Sequence, residues 1–168
     1  MGTGKSTVAI ALADQMNKKF VDMDSLIEKK EGKPITDIFN DEGEFYFRKV
    51  EREILIEIMK RNDLVIATGG GSLLDDENYQ LARKNSTIIL LYANPEVIFN
   101  RLKDESSRPL LSEENKLDRI MSLMKQRKEK YNRFEHCVDT SNLTVAQVVD
   151  EILKIYRRKY NEDNTPEI

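Results

Sequence analysis

A chain of 168 residues, 39% hydrophobic and 34% charged, suits one soluble domain around one core. Its formal net charge of -3 excludes a general grip on nucleic acid, which needs a basic stripe, and no apolar run is long enough to span a membrane. Cys137 is the single cysteine, which excludes an internal disulfide and fits a reducing compartment. A glycine-rich motif stands where a signal peptide would, so the expected location is cytoplasmic.

From Lys5 to Asn17, Val8, Ala11, Leu12 and Met16 recur at the spacing of one helix face. Phe20-Val21 then runs into Asp22, a short buried strand with a carboxylate at its end. Ser25 with Glu28 reads as a capping box, and Gly32 followed by Pro34 stops the helix it opens. A helical turn is expected over Ile35 to Phe39. After it, a long helix from about Glu44 to Arg61 turns Phe47, Val50, Ile54 and Ile58 inward.

Leu64 to Thr68 is an apolar run of strand length, ended by three glycines. A short helix is expected over Glu77 to Lys84, and Thr87 to Tyr92 reads as the clearest buried strand. Asn94-Pro95 supplies the cap and first position of a helix carrying Val97, Ile98 and Leu102. Lys103 to Lys116 is polar, contains Pro109 and reads as a mobile loop. Leu117, Ile120, Met121 and Met124 mark one face of the next helix, and Cys137 to Asp139 a last short strand. Thr144 with Gln147 is a second capping box, opening a helix that carries Val148, Val149, Ile152, Leu153 and Tyr156. From Asn161 the apolar pattern ends and a loose tail is expected. Strands alternating with helices predict an α/β fold, a parallel sheet with helices on both faces. One domain is expected over residues 1–160, with excursions at 25–53 and 103–116.

Gly2, Thr3, Gly4, Lys5, Ser6 and Thr7 form most of a phosphate-binding loop. Glycines let backbone N–H groups converge on phosphate oxygens, the helix that follows adds the positive end of its dipole, Lys5 reaches the outer phosphates and the Ser6 hydroxyl suits Mg²⁺. Asp22 and Asp24 sit two apart, on one side of an extended segment. One suits a metal shell and the other a substrate hydroxyl, while a plain helix start with surface acids stands as the alternative. Arg48 and Arg127 suit bidentate recognition of a carboxylate, or two solvated helix faces. Gly69, Gly70 and Gly71 permit close approach of a ligand to the backbone. Arg108 could close over phosphates from its loop or stand exposed on it. His136 and Cys137, adjacent and each alone of its type, read as structural.

GTGKST, FVDMD at 20–24, FRKVE at 47–51, ATGGG at 67–71, RPLL at 108–111 and RKEKY at 127–131 occur in this order, and the order resembles the shikimate kinase family from Met1 to about Tyr156. The resemblance implies a three-layer α/β/α fold of the P-loop kinase type and transfer of phosphate from ATP to the 3-hydroxyl of shikimate. It implies that Gly2 to Thr7 bind the ATP phosphates and that Ser6 holds Mg²⁺ with Asp22 near it. Asp24 would meet substrate hydroxyls, Arg48 and Arg127 would clamp the carboxylate, Gly69 to Gly71 would wall the substrate, and Arg108 would ride on a lid over the nucleotide. Lys5, Asp24 and Arg108 would then be the catalytic residues of a monomer that binds neither nucleic acid nor membrane. A gluconate-kinase-like enzyme and a nucleotide-binding protein without catalysis are the rival readings. The motif also calls for one more glycine and a strand ahead of the loop, so a start upstream of Met1 is expected, with the 168-residue form the less stable of the two.

Overall fold

The computed structural model of the chain describes residues 2–102 and 116–163. Its elements, in order, are α1 Lys5–Met16, β1 Lys19–Asp22, α2 Met23–Glu31, α3 Ile35–Ile58, β2 Leu64–Ala67, a 3₁₀ turn Ser72–Leu74, α4 Asp76–Asn85, β3 Ile89–Tyr92, α5 Pro95–Leu102, α6 Lys116–Tyr131, β4 His136–Asp139 and α7 Val145–Asp163. The expected alternation is present and both strand pairs are parallel. Asp22 lies opposite Ala67, and Tyr92 opposite Asp139. The sheet comes as two two-stranded ladders. Each belongs to one of two compact units, Ala9–Thr87 and Met1–Val8 with Ile88–Ile168. The strands are mostly half-buried, and Tyr92, at the end of the run expected to be the most buried, is 42% exposed. A strand in a two-stranded ladder has a neighbour on one edge only, which apolar composition does not reveal.

Within Ala9–Thr87, α2 is capped by Asp22, whose side chain accepts the Ser25 N–H at 3.2 Å. The sequence reading placed the cap at Ser25. Asp22 still has the extended backbone of the strand (φ -102°, ψ 120°), so the cap falls there and Ser25 lies inside the first turn. Glu28 does not reach back to its own helix start. Its Oε1 accepts the Ile35 N–H at 3.0 Å, supplying α3 with the cap that Pro34 has no side chain to provide. Gly32 ends α2 at φ 70°, as expected. The expected turn and long helix form one element interrupted at Gly43, where φ 81° and ψ 173° leave helical geometry, and α3 ends at Ile58 rather than Arg61. Phe47, Val50, Ile54 and Ile58 are buried as expected, and Leu55 joins Met23, Ile27 and Ile38 in the same cluster.

In the other unit the second capping box is closed in both directions. The Gln147 N–H donates to Thr144 Oγ1 at 3.3 Å, and the Thr144 N–H donates to Gln147 Oε1 at 2.9 Å. Val148, Val149, Ile152 and Leu153 are buried, and α7 runs to Asp163, beyond the expected start of the tail. Ala93, Ile98, Leu102 and Ile120 form a second cluster, with Met124 against it. Met121, expected on that face, is 49% exposed, because an i+4 position from Leu117 falls on the rim of a stripe centred on Ile120 and Met124.

The orientation of α3 is open to a direct test. Leu55→Ala should cost about 2–5 kcal/mol, since it empties a fully buried position, whereas Phe45→Ser, at a position 88% exposed, should stay within about 0.5 kcal/mol. Urea melts of both variants check this, and equal effects would mean that the helix presents another face.

Candidate active site

The glycine loop is shaped by backbone angles that favour glycine, with Gly2 at φ 69° and Gly4 at φ 82°. A Cβ on Gly2 would stand 2.9 Å from Ile98 Cγ2 and 3.1 Å from Leu102 Cγ, so α5 packs directly on the loop. Thr140, 2% exposed at the end of β4, holds it from another side. Its hydroxyl lies 3.2 Å from the Thr3 carbonyl, to which it can donate, and accepts from Arg101 Nη1 at 3.0 Å. Arg101 Nη2 also donates to the Thr140 carbonyl at 2.6 Å. Helix α1 opens immediately after Gly4, with Lys5, Ser6 and Thr7 in its first turn and no acidic residue there. With no acid in that turn to offset it, the positive end of the helix dipole suits an anion.

The second constellation lies in Ala9–Thr87. Asp22 and Asp24 do not share one side of a strand as expected, because the chain turns helical between them. Asp22 caps α2 and Asp24 sits in its first turn. Asp24 nevertheless faces the glycines. A Cβ on Gly69 would come within 2.9 Å of both Asp24 Oδ1 and Glu51 Oε1, and one on Gly71 within 3.1 Å of Arg48 Nη2. Gly70 occupies the turn between them. The fold thus gathers Asp24, Arg48, Gly69 and Gly71 around Glu51, a residue that the sequence reading passed over. The signal was there, since Glu51 stands four residues after Phe47 and three before Ile54, on the apolar stripe itself.

Glu51 is 1% exposed, and Arg48 Nη1 donates to its Oε2 at 2.8 Å. Burial raises the Glu51 pKa above the usual carboxylate value, and the pull of Arg48 in the opposite direction does not outweigh it. Burial also works against the Arg48 charge, but hydrogen bonds to Glu51 and Glu44 prevail and the guanidinium is held protonated more firmly than usual. On its other edge Arg48 donates from Nε and Nη2 to Glu44 Oε1, at 3.2 and 3.1 Å.

Arg127 lies on α6, in the unit that includes Ile88–Ile168, and Arg108 lies outside the described residues. Cys137 is exposed as a residue, but its thiol donates to the Phe134 carbonyl at 3.5 Å, and partial desolvation there pushes its pKa up, which disfavours a nucleophilic thiolate. Among the described residues, no group of three or more His, Cys, Asp or Glu is placed to hold a metal ion. A nucleotide-borne Mg²⁺ needs no such group, since phosphate oxygens and water fill most of its shell and a hydroxyl such as that of Ser6 completes it.

A raised carboxylate pKa has a definite linkage sign. The Glu51 contribution to stability is present below about pH 4.5, its ordinary value, and is lost as pH rises through the raised value. Glu51→Gln removes that loss. The unfolding midpoint of the variant relative to the parent should therefore shift in favour of the variant between about pH 4 and 7, as read from urea melts at both pH values. A shift the other way would mean that Arg48 more than offsets the burial of Glu51.

The sequence profile of the family described as shikimate kinase matches residues 1–157. A shikimate kinase of Thermodesulfovibrio yellowstonii is 42% identical over 161 residues, covering 96% of this chain and 93% of that one. Among solved structures, shikimate kinase from Acinetobacter baumannii in complex with shikimate matches with a TM-score of 0.87 at 32% identity, covering 95% of this chain and 89% of that one. Shikimate kinase from Aquifex aeolicus matches with a TM-score of 0.82 at 34% identity, covering 95% and 94%. These neighbours share the P-loop α/β fold expected from the motifs. A match of this depth runs through both the glycine loop and the Asp24–Arg48–Glu51 constellation, and this chain belongs to the shikimate kinase family.

Proposed function

We propose that this chain transfers the γ-phosphate of ATP to the 3-hydroxyl of shikimate, giving shikimate 3-phosphate and ADP in aromatic amino-acid biosynthesis. The observation that carries the reading is the Arg48 guanidinium, laid against Gly71 and anchored by buried Glu51, in the same cluster as the Asp24 carboxylate. A planar cation suits a carboxylate and a nearby acid suits hydroxyls, so the pair fits a hydroxylated carboxylic acid. Arg127 serves the same carboxylate in this reading, and Gly69, Gly70 and Gly71 leave the backbone bare for the ring.

The glycine loop and the first turn of α1 hold the ATP phosphates, through Gly2, Thr3, Gly4, Lys5, Ser6 and Thr7. Ser6 is the residue for Mg²⁺, with Asp22 the acid near it, and the ion would neutralise phosphate charge there. In the transfer, a bond forms between the 3-hydroxyl oxygen and the γ-phosphorus while the bond from that phosphorus to ADP breaks. The transition state is loose, so positioning and charge neutralisation by Lys5 and Arg108 carry most of the catalysis. Asp24 orients the hydroxyl and accepts its proton late in the step. The same reading takes residues 1–160 as one kinase domain, with 25–53 presenting the substrate and 103–116 as a lid. It takes the protein as a cytoplasmic monomer. No described helix is long and apolar enough to cross a membrane.

Shikimate-dependent release of ADP from ATP and Mg²⁺ tests the assignment. Turnover with gluconate and none with shikimate would move the chain to another small-molecule kinase, and none with either would leave a nucleotide-binding protein. Asp24→Asn should lower kcat by about 10²–10⁴-fold, the range for loss of a positioned acid–base group, with KM changing far less. A near-normal kcat would return Asp24 to the role of a helix-start acid.

A further inference from the structure

Arg48 presents two edges, and both have carboxylate partners. Nη1 is held by Glu51, while Nε and Nη2 donate to Oε1 of Glu44. The Nε–Nη2 edge is the pair of N–H groups that a carboxylate takes in bidentate recognition. The two acids differ in kind. The Glu51 side chain is 2% exposed and packed in place, whereas that of Glu44 is 68% exposed. Glu44 also follows Gly43 directly, at the break in α3, so it stands where helical geometry has only just resumed.

We propose that Glu44 is an intramolecular competitor of the substrate, a specificity-determining residue that occupies the carboxylate edge of Arg48 and gives it up only to another carboxylate. This rests on the reading that Arg48 receives the substrate carboxylate. The exchange is balanced in charge. One carboxylate leaves the guanidinium as another arrives, so Arg48 stays paired and its bond to Glu51 is undisturbed. An uncharged ligand would have to leave Glu44 in place or strip Arg48 of a partner on that edge, and neither favours its binding. Because Glu44 is exposed and bound through one oxygen, it yields readily to an acid that can use two.

The test compares Glu44→Gln and Glu44→Ala with the parent, measuring KM for shikimate and for ATP, with Arg48→Lys alongside. Removing the competitor should lower KM for shikimate by about two- to fivefold, the range set by the small worth of exposed ion pairs, and KM for ATP should not follow. An unchanged or raised KM for shikimate in both Glu44 variants, with Arg48→Lys still weakening shikimate use, overturns the competition and leaves Arg48 as the carboxylate site. Arg48→Lys with unaltered KM for shikimate overturns both. Titration calorimetry with shikimate and its methyl ester gives an independent readout, in which Glu44→Gln should strengthen binding of the acid and not of the ester. Equal strengthening of both would overturn the proposal.

Discussion

A carboxylate with almost no contact with solvent sits at the centre of the Ala9–Thr87 unit, and the residues around it are arranged to make that tolerable. Removing an ion from water costs several kcal/mol unless hydrogen bonds and an opposite charge replace the lost hydration. Arg48 supplies the opposite charge to Glu51 three residues along the same helix. That bond fixes one edge of the guanidinium and thereby aims the other. It also explains two glycines at once. A side chain at position 69 would meet Glu51 and Asp24, and one at position 71 would meet Arg48. The glycine run is therefore the space in which charged groups from α2 and α3 are accommodated, as well as a turn after β2.

The glycine loop is built on the opposite principle. It presents backbone N–H groups at a helix start with no acid in its first turn. Its shape is kept by packing against Ile98 and Leu102 and by the hydroxyl of Thr140, which joins the Thr3 carbonyl to Arg101. One constellation is thus preorganised by a buried ion pair and the other by steric contact and by hydrogen bonds through Thr140, some of them donated by the Arg101 guanidinium. The division suits the chemistry of the family, in which one ligand is a small acid and the other a polyphosphate.

Much of this was legible in the sequence because the chemistry demands particular residue types. A loop that turns through left-handed backbone into a helix needs glycines, and the turn at Gly2 and Gly4 and the helix start at Lys5 could be read directly. Helix α3 was legible because Phe47, Val50, Ile54 and Ile58 repeat at helical spacing. What stayed hidden depends on tertiary context. Ser25 and Asp22 are both good caps, and only the extended backbone at Asp22 decides between them. The position of Glu51 on the apolar stripe was legible, but its pairing with Arg48 and its closeness to Gly69 follow from how the elements pack. The meeting of Asp24 with Arg48 and the glycines spans elements far apart in the chain and came only from the family resemblance. The half-buried state of β3 was misread because composition does not report how many neighbours a strand has.

The parallel register of β1 and β2 acts as a measuring rule for the cluster around Glu51. Asp22 and Ala67 are paired across the ladder, so the two strands finish level. Asp24 lies two residues beyond the first and Gly69 two residues beyond the second, and they arrive within contact of one another. Once the ladder has paired, equal counts from its shared finishing line bring them together. Length changes are therefore tolerated very unevenly along this unit. The turn between Ile58 and Leu64 can absorb an extra residue ahead of the rule, whereas one residue gained or lost at Thr68 would slide Gly69 past Asp24 and Glu51, and Gly71 past Arg48.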